Sequence, residues 1–190
     1  TAKFTADILI PGALELVAVR SPYPHGLIKK IDFSAAEKMP GVIGVMTAKD
    51  IKGTNRLKLV VADRPILCEN KVRYIGDPVA VVAALTRKQA ELAAEAVEVE
   101  YELLPVLNSP AEAMAEGAIQ VHEDRPNLCF TQLLIKGDAE KAMSEASAVI
   151  ESRFITQINH QAPLEPEACV SYLEGQGEDT QLVVIGRSIN

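Results

Sequence analysis

One short segment concentrates the side chains that could do chemistry. INHQAPLEPE, residues 158–167, places His160 five and seven residues before Glu165 and Glu167. An imidazole with two carboxylates is the side-chain set of a metal site or of a proton-transfer site. Two prolines forbid the regular helix on which a motif such as HExxH depends, and they favour extended backbone at the preceding Ala162 and Glu165. The spacing therefore favours a structural role, with His160 hydrogen-bonded in a stiff corner between strands; a metal site around His160 is the alternative.

The other histidines and the cysteines lack partners at a useful spacing. His25 lies in a PHG turn and is expected to be exposed or hydrogen-bonded within that turn, and His122 is expected to share the exposed surface of the acidic residues that follow it. Cys68, Cys129 and Cys169 form no CxxC pair, so we expect three ordinary buried thiols. The glutamates between residues 91 and 102 favour a solvated face over a cation site. The common nucleotide-binding and acyl-transfer motifs are absent from the sequence.

The composition is typical of a soluble globular chain. The 190 residues are 48% hydrophobic and 24% charged, and no apolar run reaches the ~20 residues that span a bilayer. A cytoplasmic location is the default expectation. The formal net charge of −7, without clustered lysine and arginine, argues against a nucleic-acid partner. Residues 1–110 carry 14 basic and 13 acidic side chains, whereas residues 111–190 carry 5 and 13, and this shift predicts a boundary.

The first part of the chain has the pattern of an α+β domain. The continuous apolar run 79–85 predicts a strand covered on both faces, and alternation over residues 97–103 predicts a half-buried strand. Between them Thr86 and Gln89 form a T-x-x-Q capping box that starts a helix. Residues 52–64 are expected to be irregular. Further strands are predicted at residues 13–20, 27–32 and 42–47, and short helices from Ser34 and at residues 109–114.

The second part begins after residues 116–137, which lack periodicity. Asp138 is expected to cap a helix, and three strands are predicted at residues 149–156, 168–174 and 181–188. A helix and three strands without a covering layer make a thin domain, which suggests that this unit continues in further residues. From these patterns alone we expect two units of an α+β chain without a complete active site.

Four motifs occur in an order that resembles a known family. RSPYPHGLIKKID, MPGVIGVMTAKDI, VRYIGDPVAVVAA and PLEPEA follow one another over nearly the whole chain. Together they resemble the molybdenum hydroxylases, the family of xanthine dehydrogenases and aldehyde oxidoreductases. The similarity is to the N-terminal part of the molybdopterin-binding large subunit.

The resemblance implies a domain organisation and an activity. Residues 1–113 correspond to an α/β hammerhead domain, 114–135 to a connector, and 136–190 to the incomplete beginning of a mixed α/β molybdopterin-binding domain. It implies an enzyme that oxidises an aldehyde or a purine-like N-heterocycle with oxygen from water. Molybdenum on molybdopterin, often the cytosine dinucleotide form in bacteria, would be held by the full assembly, with [2Fe-2S] clusters and FAD in partner domains or subunits. A non-catalytic scaffold that contacts an iron–sulfur or flavin partner is the alternative.

One position near the end of the chain carries an implication about the site. Many xanthine dehydrogenases have a glutamine that hydrogen-bonds a molybdenum ligand where this chain has Ile189, with Ser188 and Asn190 as neighbouring alternatives. An isoleucine supplies shape but no hydrogen bond, which resembles some bacterial aldehyde oxidoreductases and argues against a purine substrate. The family's glycine-rich cofactor loops and catalytic glutamate lie further along the large subunit, so no residue of this chain is assigned a catalytic role.

Overall fold

A computed structural model describes residues 3–58, 61–165 and 167–186. The chain divides into two compact units. The first unit is Leu9–Leu128, and the second combines the described residues before Leu9 with those from Cys129 onward. The division predicted from the resemblance, at residues 113 and 135, stays a prediction.

The described residues of the first unit form six strands and two α-helices. The structure confirms the strands predicted on both sides of the capping box and all three strands predicted before residue 50. In chain order the elements are β1 (Glu15–Arg20), β2 (Gly26–Asp32), β3 (Val42–Thr47), β4 (Lys71–Val72), β5 (Pro78–Ala84), α1 (Arg87–Glu95), β6 (Glu98–Leu103) and α2 (Pro110–Met114).

Two antiparallel sheets build this unit. The first has the order β1-β5-β3 and the second the order β4-β2-β6. The central strand β5 is the predicted apolar run, and Val79 and Val82 on it are fully buried. A strand with sheet neighbours on both sides and a helix on one face needs apolar side chains over most of its length. The core of the unit therefore forms around β5.

Helix α1 covers the core side of the first sheet. Its start is fixed as predicted, because the Thr86 hydroxyl oxygen accepts the Gln89 backbone N–H at 3.3 Å. Ala90 and Ala93 are fully buried, and their small side chains let the helix approach the sheet closely. The helix predicted from Ser34 is only a 3-10 turn, Ala36–Lys38, since Pro40 follows before an α-helix can form.

The second unit has little secondary structure. It contains helix α3 (Ala139–Glu145) and the antiparallel strands β7 (Cys169–Glu174) and β8 (Gln181–Gly186). Asp138 caps α3 as predicted, its Oδ1 accepting the Lys141 N–H at 2.9 Å. From residue 129 to residue 186 every described residue is exposed or half-buried. This unit therefore lacks a core of its own among the described residues.

The strand predicted at residues 149–156 is not formed. These residues have no regular secondary structure, and Phe154 is 89% exposed. A strand needs a neighbour that pairs with its backbone N–H and C=O groups, and the described residues of this unit supply none. The apolar pattern of residues 149–156 is typical of a strand, but no described strand pairs with them.

No helix within the described ranges is long and apolar enough to cross a membrane.

Candidate functional site

The INHQAPLEPE segment forms an exposed corner. His160 Nδ1 accepts the Ala162 backbone N–H at 2.9 Å, and Ala162 has φ of 44°. The extended backbone predicted for Ala162 is therefore wrong, because this local hydrogen bond turns the chain into the left-handed region before the proline. His160 acts as an acceptor that shapes the turn.

Glu165 has a structural partner at the start of the chain. Its Oε1 accepts both the Thr5 N–H, at 3.0 Å, and the Thr5 hydroxyl, at 3.2 Å. The carboxylate therefore attaches the first residues of the chain to the second unit. Glu167 is exposed. Among all described residues, no group of three or more His, Cys, Asp or Glu side chains could hold a metal ion.

Two of the motifs that carried the resemblance join one another in the first unit. The Ser21 N–H donates to the Asp77 carbonyl at 2.9 Å, and the Gly76 N–H donates to the Ser21 carbonyl at 2.8 Å. The guanidinium of Arg20 adds a bond to the Gly76 carbonyl at 2.9 Å. Gly76 has φ of 92°, which glycine adopts without steric cost. The SPYPHG and RYIGDP segments therefore form one turn-to-turn junction at the end of β1.

A buried carboxylate lies at this junction. Asp77 is 1% exposed, and its Oδ2 accepts the Arg73 N–H at 2.9 Å. Its Oδ1 has no hydrogen-bond partner among the described residues. Burial, and then the negative charge of Asp77, raise the pKa of the Cys68 thiol to about 12. Cys68 is therefore a neutral structural thiol at physiological pH and is no nucleophile.

The expectation of three buried thiols is correct only for Cys68. Cys129 and Cys169 are exposed. Both belong to the second unit, whose described residues form no core that could cover them. Neither has a neighbouring cysteine or histidine in the sequence that would make it a metal ligand or a catalytic pair.

His25 is buried, contrary to the expectation of exposure. It lies 2.5 Å from the Pro105 carbonyl oxygen through Nδ1, which must therefore carry the proton. The partner is 80 residues away, so no local signal could predict it. His122 is half-buried, and burial followed by the charge of Arg73 lowers its pKa.

The first unit contains a charged clamp that no sequence pattern predicted. Lys71 is 6% exposed, and its ammonium donates to the Gln120 carbonyl at 3.1 Å and to Glu123 Oε1 at 3.0 Å. The Arg73 Nε–H donates to the Val121 carbonyl at 3.0 Å. Together they fix residues 120–123, part of the segment without periodicity, onto the sheet that contains β4. Only the fold brings these residues together.

From residue 129 onward the described residues contribute only exposed or half-buried side chains. Ile189, the position implicated by the resemblance, lies outside the described residues, and its proximity to a molybdenum site stays a prediction. The geometry therefore defines an α+β first unit with its own core and a second unit whose described residues are exposed or half-buried.

Comparisons with known proteins agree with this class of fold. A family model of the a/b hammerhead domain of aldehyde oxidase and xanthine dehydrogenase matches residues 1–105. A model of the molybdopterin cofactor-binding domain matches residues 121–189. The first match covers more than half of the chain. The chain belongs to the aldehyde oxidase and xanthine dehydrogenase family, and the resemblance to the N-terminal part of the molybdenum hydroxylase large subunit is confirmed, as is the α+β fold.

Individual relatives are similar over almost all of this chain. It is 38% identical to a probable xanthine dehydrogenase subunit of Bacillus subtilis, over 92% of this chain and 23% of the relative. It is 35% identical to the nicotinate dehydrogenase large molybdopterin subunit of Eubacterium barkeri, over 96% of this chain and 43% of the relative. The structure of the aldehyde oxidoreductase from Desulfovibrio gigas superimposes with a TM-score of 0.89 at 36% identity. The superposition covers 98% of this chain and 22% of the oxidoreductase chain. The chain thus spans less than half the length of each relative.

Proposed function

We propose that this chain is a structural part of a molybdenum-dependent hydroxylase that oxidises an aldehyde or an N-heterocycle with oxygen taken from water. The observation that carries the proposal is the succession of a hammerhead match and a molybdopterin cofactor-binding match in one chain. In this proposal the first unit is a rigid support, and the second unit helps to frame the cofactor pocket.

The distribution of burial supports this division of labour. The first unit has its own core around β5 and its own polar junction at Asp77. The second unit exposes its apolar side chains, including Phe154 and those on one face of the β7–β8 pair, where Leu173 lies opposite Leu182. A two-stranded sheet is marginal by itself. The second unit therefore needs further polypeptide to cover it, and we expect that polypeptide to complete the pocket.

The cofactors belong to the assembly in this proposal. Molybdenum on molybdopterin, either as such or in the cytosine dinucleotide form, supplies the redox chemistry when the large subunit is complete. Iron–sulfur clusters and FAD in partner domains or subunits carry the electrons away. We expect the 190-residue chain alone to be inactive, because the resemblance places the family's glycine-rich cofactor loops and catalytic glutamate further along the large subunit.

The proposed substrate class rests on the relatives and on one residue. Relatives are called aldehyde oxidoreductase and nicotinate dehydrogenase. Ile189 cannot offer the amide that the resemblance associates with purine oxidation, so we propose an aldehyde or a non-purine heterocycle as the first substrates to test.

Oxygen labelling tests the proposal. The complete large subunit with its partner chains is incubated with benzaldehyde or nicotinate, an electron acceptor and ¹⁸O-labelled water. We expect the oxygen that is added to the substrate to be labelled, and none of this activity from the 190-residue chain. Reading the coding sequence beyond residue 190 distinguishes the proposal from the alternative of a non-catalytic scaffold. A stop codon directly after residue 190 would overturn the proposed division of labour, and so would turnover by the 190-residue chain alone.

A further inference from the structure

The first unit has an open edge on its first sheet. Strand β1 pairs with β5 on one side and, among the described residues, with no strand on the other. Both backbone groups of Ser21 point towards β5, since they bond to Asp77 and Gly76. The register shifts between Val19 and Arg20, but the pairs Val19–Ala80 and Val17–Val82 are regular. The Leu85 N–H bonds to Gly41 beside β3, so by alternation Val82 and Ala80 face β1, and Val17 and Val19 point towards β5. The N–H and C=O groups of Leu16, Ala18 and Arg20 therefore point to the open edge.

This edge lines a groove of about 480 Å³. We call it the edge groove; its walls are β1 from Val17 to Arg20, the last turn of α1 and the inward face of β6. Val97, just before β6, and Val99 and Tyr101 on that strand line it with their side chains. The groove thus offers unpaired backbone groups along one wall and an apolar floor beside them.

The protection of this edge against strand pairing is confined to one end, where the register shifts between Val19 and Arg20 and Pro22 follows the strand. Proteins protect open edges with charges, prolines, bulges or a covering segment. Arg20 is the only charged residue among the three whose backbone groups face the open edge, and its guanidinium is already bonded to the Gly76 carbonyl. Leu16 and Ala18 leave the middle of the edge accessible to another backbone.

Two glutamates at the rim of the edge groove favour a positively charged ligand side chain. Glu91 and Glu95 line the groove from α1. The Glu91 carboxylate is paired with Arg87 Nε at 2.7 Å, whereas Glu95 is exposed at the end of the helix. A basic side chain that enters the groove next to α1 would meet this carboxylate at a partly apolar surface, where opposite charges attract more strongly than in bulk water.

We propose that the edge groove receives a β-strand from the remainder of the large subunit. The strand pairs with β1, packs apolar side chains on Val97 and Val99, and directs a basic side chain towards Glu95. This addition extends the β1-β5-β3 sheet to four strands, a recurrent way to bind an extended segment. The inference rests on the proposed function. The chain spans only 22% of the aldehyde oxidoreductase on which it superimposes, so most of the large subunit is available to supply the strand.

Hydrogen–deuterium exchange resolved to single residues tests the proposal. The 190-residue chain is compared with the complete large subunit in its assembly. We expect the Leu16 and Ala18 amides to exchange at least 100-fold more slowly in the assembly, because a new strand takes up their N–H groups. The Val17 and Val19 amides already bond to β5 and should change less than fivefold. Equal rates at Leu16 and Ala18 in both samples would overturn the proposal, as would slowing of all four amides alike.

Two further measurements identify the occupant and separate the inference from the proposed function. Glu95→Lys should reduce the added protection of Ala18 at least tenfold, whereas the exposed control Glu116→Lys should not. Protection that rises with concentration in the 190-residue chain alone would assign the edge to a second copy and overturn the proposal. Molybdenum is quantified in the same assembly: a molybdenum-loaded, active sample with an unprotected edge refutes only the strand, whereas a molybdenum-free, inactive sample refutes the proposed function.

Discussion

Replacing Val82 with alanine tests whether the stable apolar core of the chain lies around β5 in the first unit. Val82 lies at the centre of β5, between Val17 on β1 and Val45 on β3, and its side chain is 0% exposed. The substitution removes two buried methyl groups from a core that also includes Ala93 of α1. No polar partner is lost, so the effect reports apolar packing alone.

The structure gives the expected magnitude. Two methyl groups at about 0.8 kcal/mol each contribute about 1.6 kcal/mol of transfer free energy. The residual cavity adds to this, because a sheet with strands on both sides of β5 can collapse only partly. We expect the free energy of unfolding of the first unit to fall by about 2–3 kcal/mol.

Urea denaturation of the 190-residue chain measures this change. The chain has no tryptophan, so far-UV circular dichroism is combined with tyrosine fluorescence. Tyr23 and Tyr101 report on the first unit, where their rings meet edge to face with centroids 5.3 Å apart. The midpoint of unfolding should shift by roughly 1–2 M urea.

Val184→Ala is the matched control. Val184 is also in a strand but is 58% exposed on β8 of the second unit. Its replacement should cost less than about 0.5 kcal/mol. A loss below about 0.5 kcal/mol for Val82→Ala, or equal losses for the two variants, would refute the assignment of the stable core to the first unit.

Three further predictions follow from named contacts. Thr86→Ala removes the cap of α1 and should lower the free energy of unfolding by about 1 kcal/mol, read from thermal melting; no change would exclude the cap as a stabilising contact. In the native protein, a disulfide reagent should rapidly modify the exposed thiols of Cys129 and Cys169, and it should modify the buried Cys68 only after unfolding. Above pH 9, the ordinary pKa of a thiol, Cys68 loses its proton in the unfolded protein but keeps it in the folded protein until the pH reaches about 12. The folded state therefore binds more protons, so the free energy of unfolding should fall by about 1.4 kcal/mol per pH unit between pH 9 and about 12. Cys68→Ala should make the fall in stability less steep by about 1.4 kcal/mol per pH unit, and an unchanged slope would contradict the assignment. Glu165→Gln should accelerate hydrogen exchange at the Thr5 amide, while Glu167→Gln should leave it unchanged; equal rates in both variants would remove the proposed attachment.

Local signals predicted the regular elements well. The hydroxyl of Thr86 and the carboxylate of Asp138 cap the helices that follow them, because capping depends on residues within one turn. The alternation of valine and glutamate predicted β6, since one face of that strand is covered and the other is solvated. The ordered motifs indicated the family, although their spacing alone indicated no chemistry.

Contacts between distant residues could not be predicted. His25 is held by Pro105, Lys71 by residues near Glu123, and Thr5 by Glu165. Each contact joins segments at least 49 residues apart, and nothing in the local pattern distinguishes these side chains from solvated ones. The failed strand at residues 149–156 has the opposite cause, because its local pattern is correct but no described strand pairs with it.

The candidate site was predicted least completely. The side chains that first suggested chemistry, His160 and Glu165, bond to the backbone of Ala162 and to Thr5 and therefore shape the second unit. Cofactor chemistry depends on many segments of a large subunit, whereas this chain spans only 22% of the aldehyde oxidoreductase on which it superimposes. Ile189 therefore stays a prediction from resemblance.

Molybdenum stoichiometry tests the central claim most directly. The 190-residue chain and the complete large subunit with its partner chains are produced in the same molybdenum-supplied host, and the metal is quantified by mass spectrometry. We expect about one molybdenum per complete large subunit and none above background in the 190-residue chain. A molybdenum-free complete subunit, or stoichiometric molybdenum in the 190-residue chain alone, would contradict the account.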